Sequence, residues 1–147
     1  MVGLWPSEFK GNDLVSVKDF LEGQADELPN ITGKMVYAKV EEGGQGIPFI
    51  NNEFVYRFEL GGYYLENYRF RVFIFSHDIL LYPVKFLLDE ELSREFGYNG
   101  GVVGSCIYTA KNYDEMVELM GRIFKSRRVN LVVGSIMQMS RKYGMWE

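Results

Sequence analysis

From residue 54 to residue 75 the chain alternates between apolar and polar positions. Phe54, Tyr56, Phe58 and Leu60 occupy one phase of a period-two pattern, and Val55, Arg57 and Glu59 the other. That periodicity predicts a strand over 53–60 with one buried face. Gly61-Gly62 turns the chain, and Tyr68, Phe70, Val72 and Ile74 then alternate with Arg69, Arg71, Phe73 and Phe75, predicting a second strand over 68–75. Ser76-His77-Asp78 suits a hairpin turn into a further strand over 79–88. Pro83 marks an edge or a bulge within it, because proline has no N–H to give to a ladder. Upstream, Lys-Met-Val-Tyr-Ala-Lys-Val-Glu at 34–41 suits another strand, and Glu42-Gly-Gly-Gln-Gly46 opens a loop that continues through Pro48 to Asn51-Asn52.

Helical spacing frames these strands. Ser16 precedes Asp19 by three positions, a capping box with Asp in place of Glu, and Val17, Phe20, Leu21, Ala25 and Leu28 follow on one helical face until Pro29-Asn30. A helix over 16–28 is predicted. Asp89 to Phe96 reads as a short helix with acids in its first turn, ended by Gly97; Asn99-Gly-Gly101 makes a turn, and 102–110 is open between strand and loop, able to join either sheet edge. Asn112 stands three before Glu115, and Tyr113, Met116, Val117, Met120, Ile123 and Phe124 form the stripe of a helix packed on a sheet. Another helical stretch over 130–142 carries Val132, Val133, Ile136, Met137 and Ser140. No repeat, low-complexity tract or linker interrupts the chain. The expected architecture is one α+β domain over 1–147: an antiparallel four- or five-stranded sheet with a meander core, packed on N-terminal and C-terminal helices.

Composition narrows the class. A chain of 147 residues fits a single core and buries roughly 70% of the surface its unfolded form exposes. Hydrophobic residues at 47% and aromatics at 16% exclude a disordered chain. One cysteine, Cys106, cannot form an internal disulfide, and with one histidine it cannot supply the usual four-ligand zinc site. Neither a basic-then-apolar leader nor a run of about 20 apolar residues is present, so the expectation is a soluble, cytoplasmic protein with no membrane partner. The net charge of −4 is uneven: residues 1–121 hold 10 Lys/Arg against 19 Asp/Glu, and 122–147 hold 6 against 1. An acidic body repels phosphate backbones and argues against nucleic acid as a partner. Arg122, Lys125, Arg127, Arg128, Arg141 and Lys142 could form a local basic patch, but solvated helix faces and helix C-terminal charge account for them more simply.

Catalytic candidates are few, and each has a plainer structural explanation. His77 could be oriented by Asp78 and titrate near neutrality, yet a turn histidine with no adjacent nucleophile reads as structural. Cys106, after Ser105, lies in a run that reads as a buried small residue in a sheet. The glycine clusters at 43–46 and 100–105 lack the lysine or the helix start that a phosphate-binding loop requires. Glu41-Glu42 and Asp89-Glu90-Glu91 are consecutive acids whose side chains diverge, unlike the oxygen cage a divalent cation needs. Tyr68 to Phe75 is similar to an RNA-stacking strand without its glycines. No catalytic residue, metal site or cofactor is assigned.

Asn67-Tyr-Arg-Phe70 and His77-Asp-Ile-Leu-Leu-Tyr-Pro-Val84, set between an opening helix and closing helices, resemble a set of small bacterial α+β proteins to which no function is assigned. The resemblance spans about 16–142 and implies an order of elements, with no activity to carry over. If Tyr56, Phe58, Phe70, Val72 and Ile74 face the helices, the opposite sheet face is left with Phe73 and Phe75 beside Arg69 and Arg71. Such a face is too apolar for idle exposure and usually marks a partner site, a ligand cleft or a dimer interface. The functional expectation is therefore non-enzymatic protein binding, as by a small intracellular inhibitor or immunity-type protein, with Tyr63, Tyr64, Arg69, Arg71 and Phe73 as contacts. Two alternatives stand beside it. One is a small-molecule-binding or weakly catalytic domain with a cleft between sheet and helices, using His77 or Tyr82. The other is a homo-oligomeric structural subunit joined through Phe73 and Phe75.

Overall fold

A computed structural model of the chain describes residues 3–11, 13–44, 47, 54–97 and 106–143. In chain order the elements are α1 (Val17–Ile31), β1 (Val36–Glu42), β2 (Phe54–Gly62), β3 (Leu65–His77), β4 (Val84–Leu88), α2 (Glu90–Glu95), β5 (Ile107–Ala110), α3 (Tyr113–Phe124) and α4 (Arg127–Tyr143). The strands form one five-stranded antiparallel sheet in sequence order β1-β2-β3-β4-β5. This is the α+β meander that the alternation predicts. The segment open between strand and loop joins the β4 edge, where Phe86 pairs with Tyr108 and Val84 with Ala110.

Local chemistry explains where the helices begin. The Ser16 hydroxyl accepts from the Asp19 N–H at 3.1 Å, and the Asn112 side chain accepts from the Glu115 N–H at 2.9 Å, each satisfying a donor that has no partner inside the first turn. Helix α1 does not stop at Leu28 as Pro29 suggests. It continues to Ile31 with Pro29 inside its last turn, and it ends where Gly33 and Lys34 both take positive φ. Thr32 closes that end: its hydroxyl donates to the Leu28 carbonyl at 3.0 Å and accepts from the Val36 N–H at 3.1 Å. Helix α4 starts earlier than its apolar spacing indicates. The Ser126 hydroxyl accepts from the Val129 N–H at 3.2 Å, and the Glu95 carboxylate, brought in from α2, accepts from the Arg127 and Arg128 N–H groups at 2.8 Å each. The basic C-terminal segment serves tertiary docking as well. Arg128 bonds Asp89 at 2.9 Å and stacks over Phe70, and Arg122 lies 4.4 Å over the Phe96 ring.

The face of β2 that carries Tyr56, Phe58 and Leu60 is buried, and α1, α3 and α4 lay their apolar stripes in the same core cluster. Strand β3 departs from simple alternation. Phe58 pairs with Phe73 but Glu59 pairs with Arg71, so Val72 is an extra residue in β3 and forms a β-bulge. The bulge reverses the phase of everything after it. Phe73 and Phe75, expected on the open face, lie on the helix side at 1% and 0% exposure, while Ile74 moves to the opposite face beside Arg57 and Leu87. The core is consequently a run of phenylalanines: Tyr56 stacks on Phe75 at 5.0 Å, Phe58 on Phe73 at 5.2 Å, and Phe86 meets Phe73 at 5.4 Å and Phe75 at 5.9 Å.

The strand predicted over 79–88 is shorter than expected. Strand β3 runs on through His77, and Asp78 organises the turn instead: its carboxylate accepts from the Leu80 N–H at 3.0 Å and its carbonyl from the Leu81 N–H at 3.2 Å. Ile79 and Leu80 are exposed on that turn, and pairing resumes at Val84.

Candidate functional site

Two features remain once the core is accounted for: a tyrosine-lined end of the sheet and an apolar cleft between helices. The first is built on the β2–β3 connection, where Tyr63 and Tyr64 form the turn and are both exposed. The two preceding glycines are there for space. A Cβ on Gly61 would come 2.5 Å from the Tyr37 ring, and one on Gly62 would come 2.9 Å from Ile136 of α4. With hydrogen in those places, Tyr37 lies flat against β2 and meets the Tyr63 ring at 5.1 Å. Arg69 sits 6.0 Å over the other side of Tyr37 and reaches Glu41 at 3.6 Å and Glu59 at 3.8 Å. Lys39 and Arg57 pair with the same two carboxylates at 3.5 and 3.9 Å. This face of β1–β3 is therefore a ladder of matched charges, without the exposed phenylalanines expected of it. Arg71 stands exposed on it with no ion-pair partner among the described residues.

Grooves flank the Tyr63-Tyr64 turn on both sides. One, about 480 Å³, runs between Tyr64, Leu65 and Tyr68 and the Ile136, Met139 and Tyr143 side of α4. The other, about 380 Å³, lies between the tyrosines and Pro29 and Lys34. Tyr63, Tyr64, Tyr68, Met139 and Tyr143 are all exposed here. Of the five expected contact residues, the structure gathers Tyr63, Tyr64, Arg69 and Arg71 at this end of β1–β3. Phe73 is not among them: the bulge at Val72 places it in the core, out of reach of any partner of the folded chain. Tyr37, Tyr68 and Tyr143 join the surface without having been singled out. A tyrosine preceding a strand glycine on the neighbouring strand is a signal only when the pairing register is known.

The second feature is a cleft of about 300 Å³ between α1 and α4, floored by Ala38, Phe58, Leu60 and Val72. Its walls are Leu28, Ile31, Phe124, Val129 and Val133. Ala38 faces Leu60 across the β1–β2 ladder, and its small side chain leaves room that a larger residue would fill. The bulged Val72 supplies part of the floor. Gln24, Glu27 and Asn130 bring polar groups to the cleft. Neither His77 nor Tyr82 lines it.

Those two residues have structural partners. His77 is buried, with Nδ1 2.7 Å from the Asp78 carbonyl and its ring stacked on Phe54 at 5.5 Å and Tyr56 at 5.9 Å. Tyr82 donates to the Val15 carbonyl at 2.9 Å, tying the β3–β4 turn to the segment before α1. Burial, with a smaller push from Tyr113, raises its phenol above the ordinary value; burial likewise raises Tyr56 and Tyr108. Cys106 is buried as a free thiol. The glycine cluster at 100–105 lies outside the described residues, as does the second half of the cluster at 43–46. Among the described residues no three His, Cys, Asp or Glu side chains come together as a metal site would require, and no helix is long and apolar enough to cross a membrane. Glu90 and Glu91 both point to Arg94, at 2.7 and 3.8 Å. Compared with models of protein families, with curated proteins and with solved structures, the chain matches none.

Proposed function

We propose that this chain is a non-enzymatic protein-binding domain, a small acidic inhibitor or immunity-type protein of the cell interior, that engages its partner through the tyrosine-lined end of the sheet. The observation that carries the reading is the contiguity of Tyr63, Tyr64, Tyr68, Met139 and Tyr143 around two grooves, all exposed. Tyrosine buries a large, rigid, amphipathic surface at low entropic cost, and with arginine it dominates the centres of protein interfaces. Arg71, free of ion pairs among the described residues, and Lys34 at the second groove supply the polar rim and suit a partner with carboxylates around an apolar centre. A self-association reading loses the two phenylalanines on which it rested.

The test begins with the purified chain as bait in lysate of its source organism, followed by affinity measurements on any partner held at one-to-one stoichiometry. Tyr63→Ser with Tyr64→Ser should weaken binding at least about tenfold, the loss of one interface hot spot, and Arg71→Glu should lower the association rate. Ile79→Ser with Leu80→Ser, on the exposed β3–β4 turn, should leave affinity unchanged. Unaltered affinity in a folded Tyr63/Tyr64 variant overturns the assignment.

A second reading rests on the cleft between α1 and α4. Its volume and apolar floor fit a small ligand, and it leaves His77 and Tyr82 without a part in any chemistry.

A further inference from the structure

The polar groups at the α1–α4 cleft are the Glu27 carboxylate, the Gln24 and Asn130 amides and the Thr32 hydroxyl. Among the described residues no lysine, arginine or histidine lines it. Thr32 is fully engaged with the Leu28 carbonyl and the Val36 N–H. The Asn130 amide donates to the carbonyls of Ser126 at 2.7 Å and Phe124 at 3.5 Å, which leaves its Oδ1 as the group still able to bond. The Glu27 carboxylate has no hydrogen bond or ion pair among the described residues, in contrast to Glu22 one turn earlier, which Lys18 meets at 3.5 Å. Asp26 adds a second negative charge beside it on α1. The charged group that lines the cleft among the described residues is thus the Glu27 carboxylate, over a floor of Ala38, Phe58, Leu60 and Val72.

Resting on the small-molecule reading of this cleft, we propose that its ligand is a small amphiphilic amine: an apolar body on the sheet floor and a protonated amino group at Glu27, with the Asn130 oxygen as a further acceptor. An ammonium brings three donors and a positive charge to a carboxylate that has no partner among the described residues. A carboxylate head of the same length meets a like charge at Glu27. The volume of about 300 Å³ lies at the small end of ligand clefts, which suits a chain or ring of modest size and excludes a lipid with two acyl tails.

Titrating the full chain with octylamine, octanol and octanoate at neutral pH and low salt, by calorimetry and thermal shift, tests this. Octylamine should bind about fivefold tighter than octanol, the upper range for one solvent-screened ion pair, and octanoate should bind weakest. Glu27→Gln should bring octylamine to the level of octanol without changing octanol itself. Ala38→Phe should abolish binding of all three, and Val133→Trp provides the same block from the cleft wall should Ala38→Phe fail to fold. Equal binding of amine and alcohol overturns the amine assignment and leaves an apolar cleft; no binding of any probe overturns the cleft reading as well.

Discussion

The phase of β3 after Val72 can be tested with two neighbouring substitutions of opposite expected effect. Phe73 is 1% exposed and packs against Phe58, Phe75 and Phe86 at 5.2, 5.9 and 5.4 Å. Truncating it to alanine removes the transfer free energy of a buried aromatic side chain and leaves a cavity between three rings that cannot collapse without moving two strands. That costs about 3–5 kcal/mol. For a chain of this length each kcal/mol lowers Tm by about 2–4 °C, so Phe73→Ala should melt about 6–20 °C below the parent. Arg71, two residues away, is exposed and free of ion pairs among the described residues, and Arg71→Ala should stay within about 0.5 kcal/mol of it. Phe73→Glu goes further. It adds an unpaired buried carboxylate, a penalty of several kcal/mol on top of the lost packing, and the sum approaches the whole stability of a typical domain, about 5–15 kcal/mol. The expected product is unfolded or insoluble protein. Simple alternation through 68–75 would put Phe73 on the open face, where the same glutamate is harmless. Thermal unfolding followed by circular dichroism decides between them: a folded Phe73→Glu protein, or a Phe73→Ala shift no larger than that of Arg71→Ala, would refute the bulge and the face assignment built on it.

Three further outcomes follow from single contacts. Tyr82→Phe removes the hydroxyl that donates to Val15 and should cost about 1 kcal/mol at neutral pH by urea unfolding. Because burial raises the Tyr82 phenol above the ordinary 10.0, the unfolded chain ionises first; this part of the stability is intact below pH 10 and lost as pH rises beyond it. The variant should therefore show a shallower alkaline decline than the parent, and an unchanged slope would refute the argument. Gly62→Ala sets a methyl 2.9 Å from the Ile136 Cγ2 and should destabilise by about 1–3 kcal/mol; Ile136→Ala, which removes that methyl, should recover part of this in a double-mutant cycle, and strict additivity would count against a direct clash. The Ser140 hydroxyl is buried with no hydrogen-bond partner among the described residues, so Ser140→Ala should raise stability by up to about 1 kcal/mol, read as a small upward shift in Tm.

What could be read from the chain was what its local chemistry dictates. Ser16 and Asn112 announce helix starts because each cap is completed within three residues, and the alternation of Phe54 to Leu60 assigns the faces of β2 because nothing interrupts its period. The α+β meander followed, with the type of most elements, while the fifth strand and the edge it joins were left open. Other features depended on partners distant in sequence. Val72 looks like any other β-branched residue in a strand, yet as an extra position against β2 it reverses every side chain after it, since a period of two has no tolerance for a single insertion. The start of α4 is set partly by Glu95, more than thirty positions upstream. The candidate contact residues were legible in part: Tyr63 and Tyr64 stand on a turn marked by its glycines, while Tyr37, Tyr68 and Tyr143 join them only through strand register and helix docking. A cleft between sheet and helices was expected, but its lining could not be read, because Glu27, Ala38, Val72 and Asn130 are unremarkable in isolation. The sequence by itself determined which segments bury an apolar face; the tertiary structure decided which side chains share a surface, because a pairing register and a helix contact are properties of two segments and are written in neither one alone.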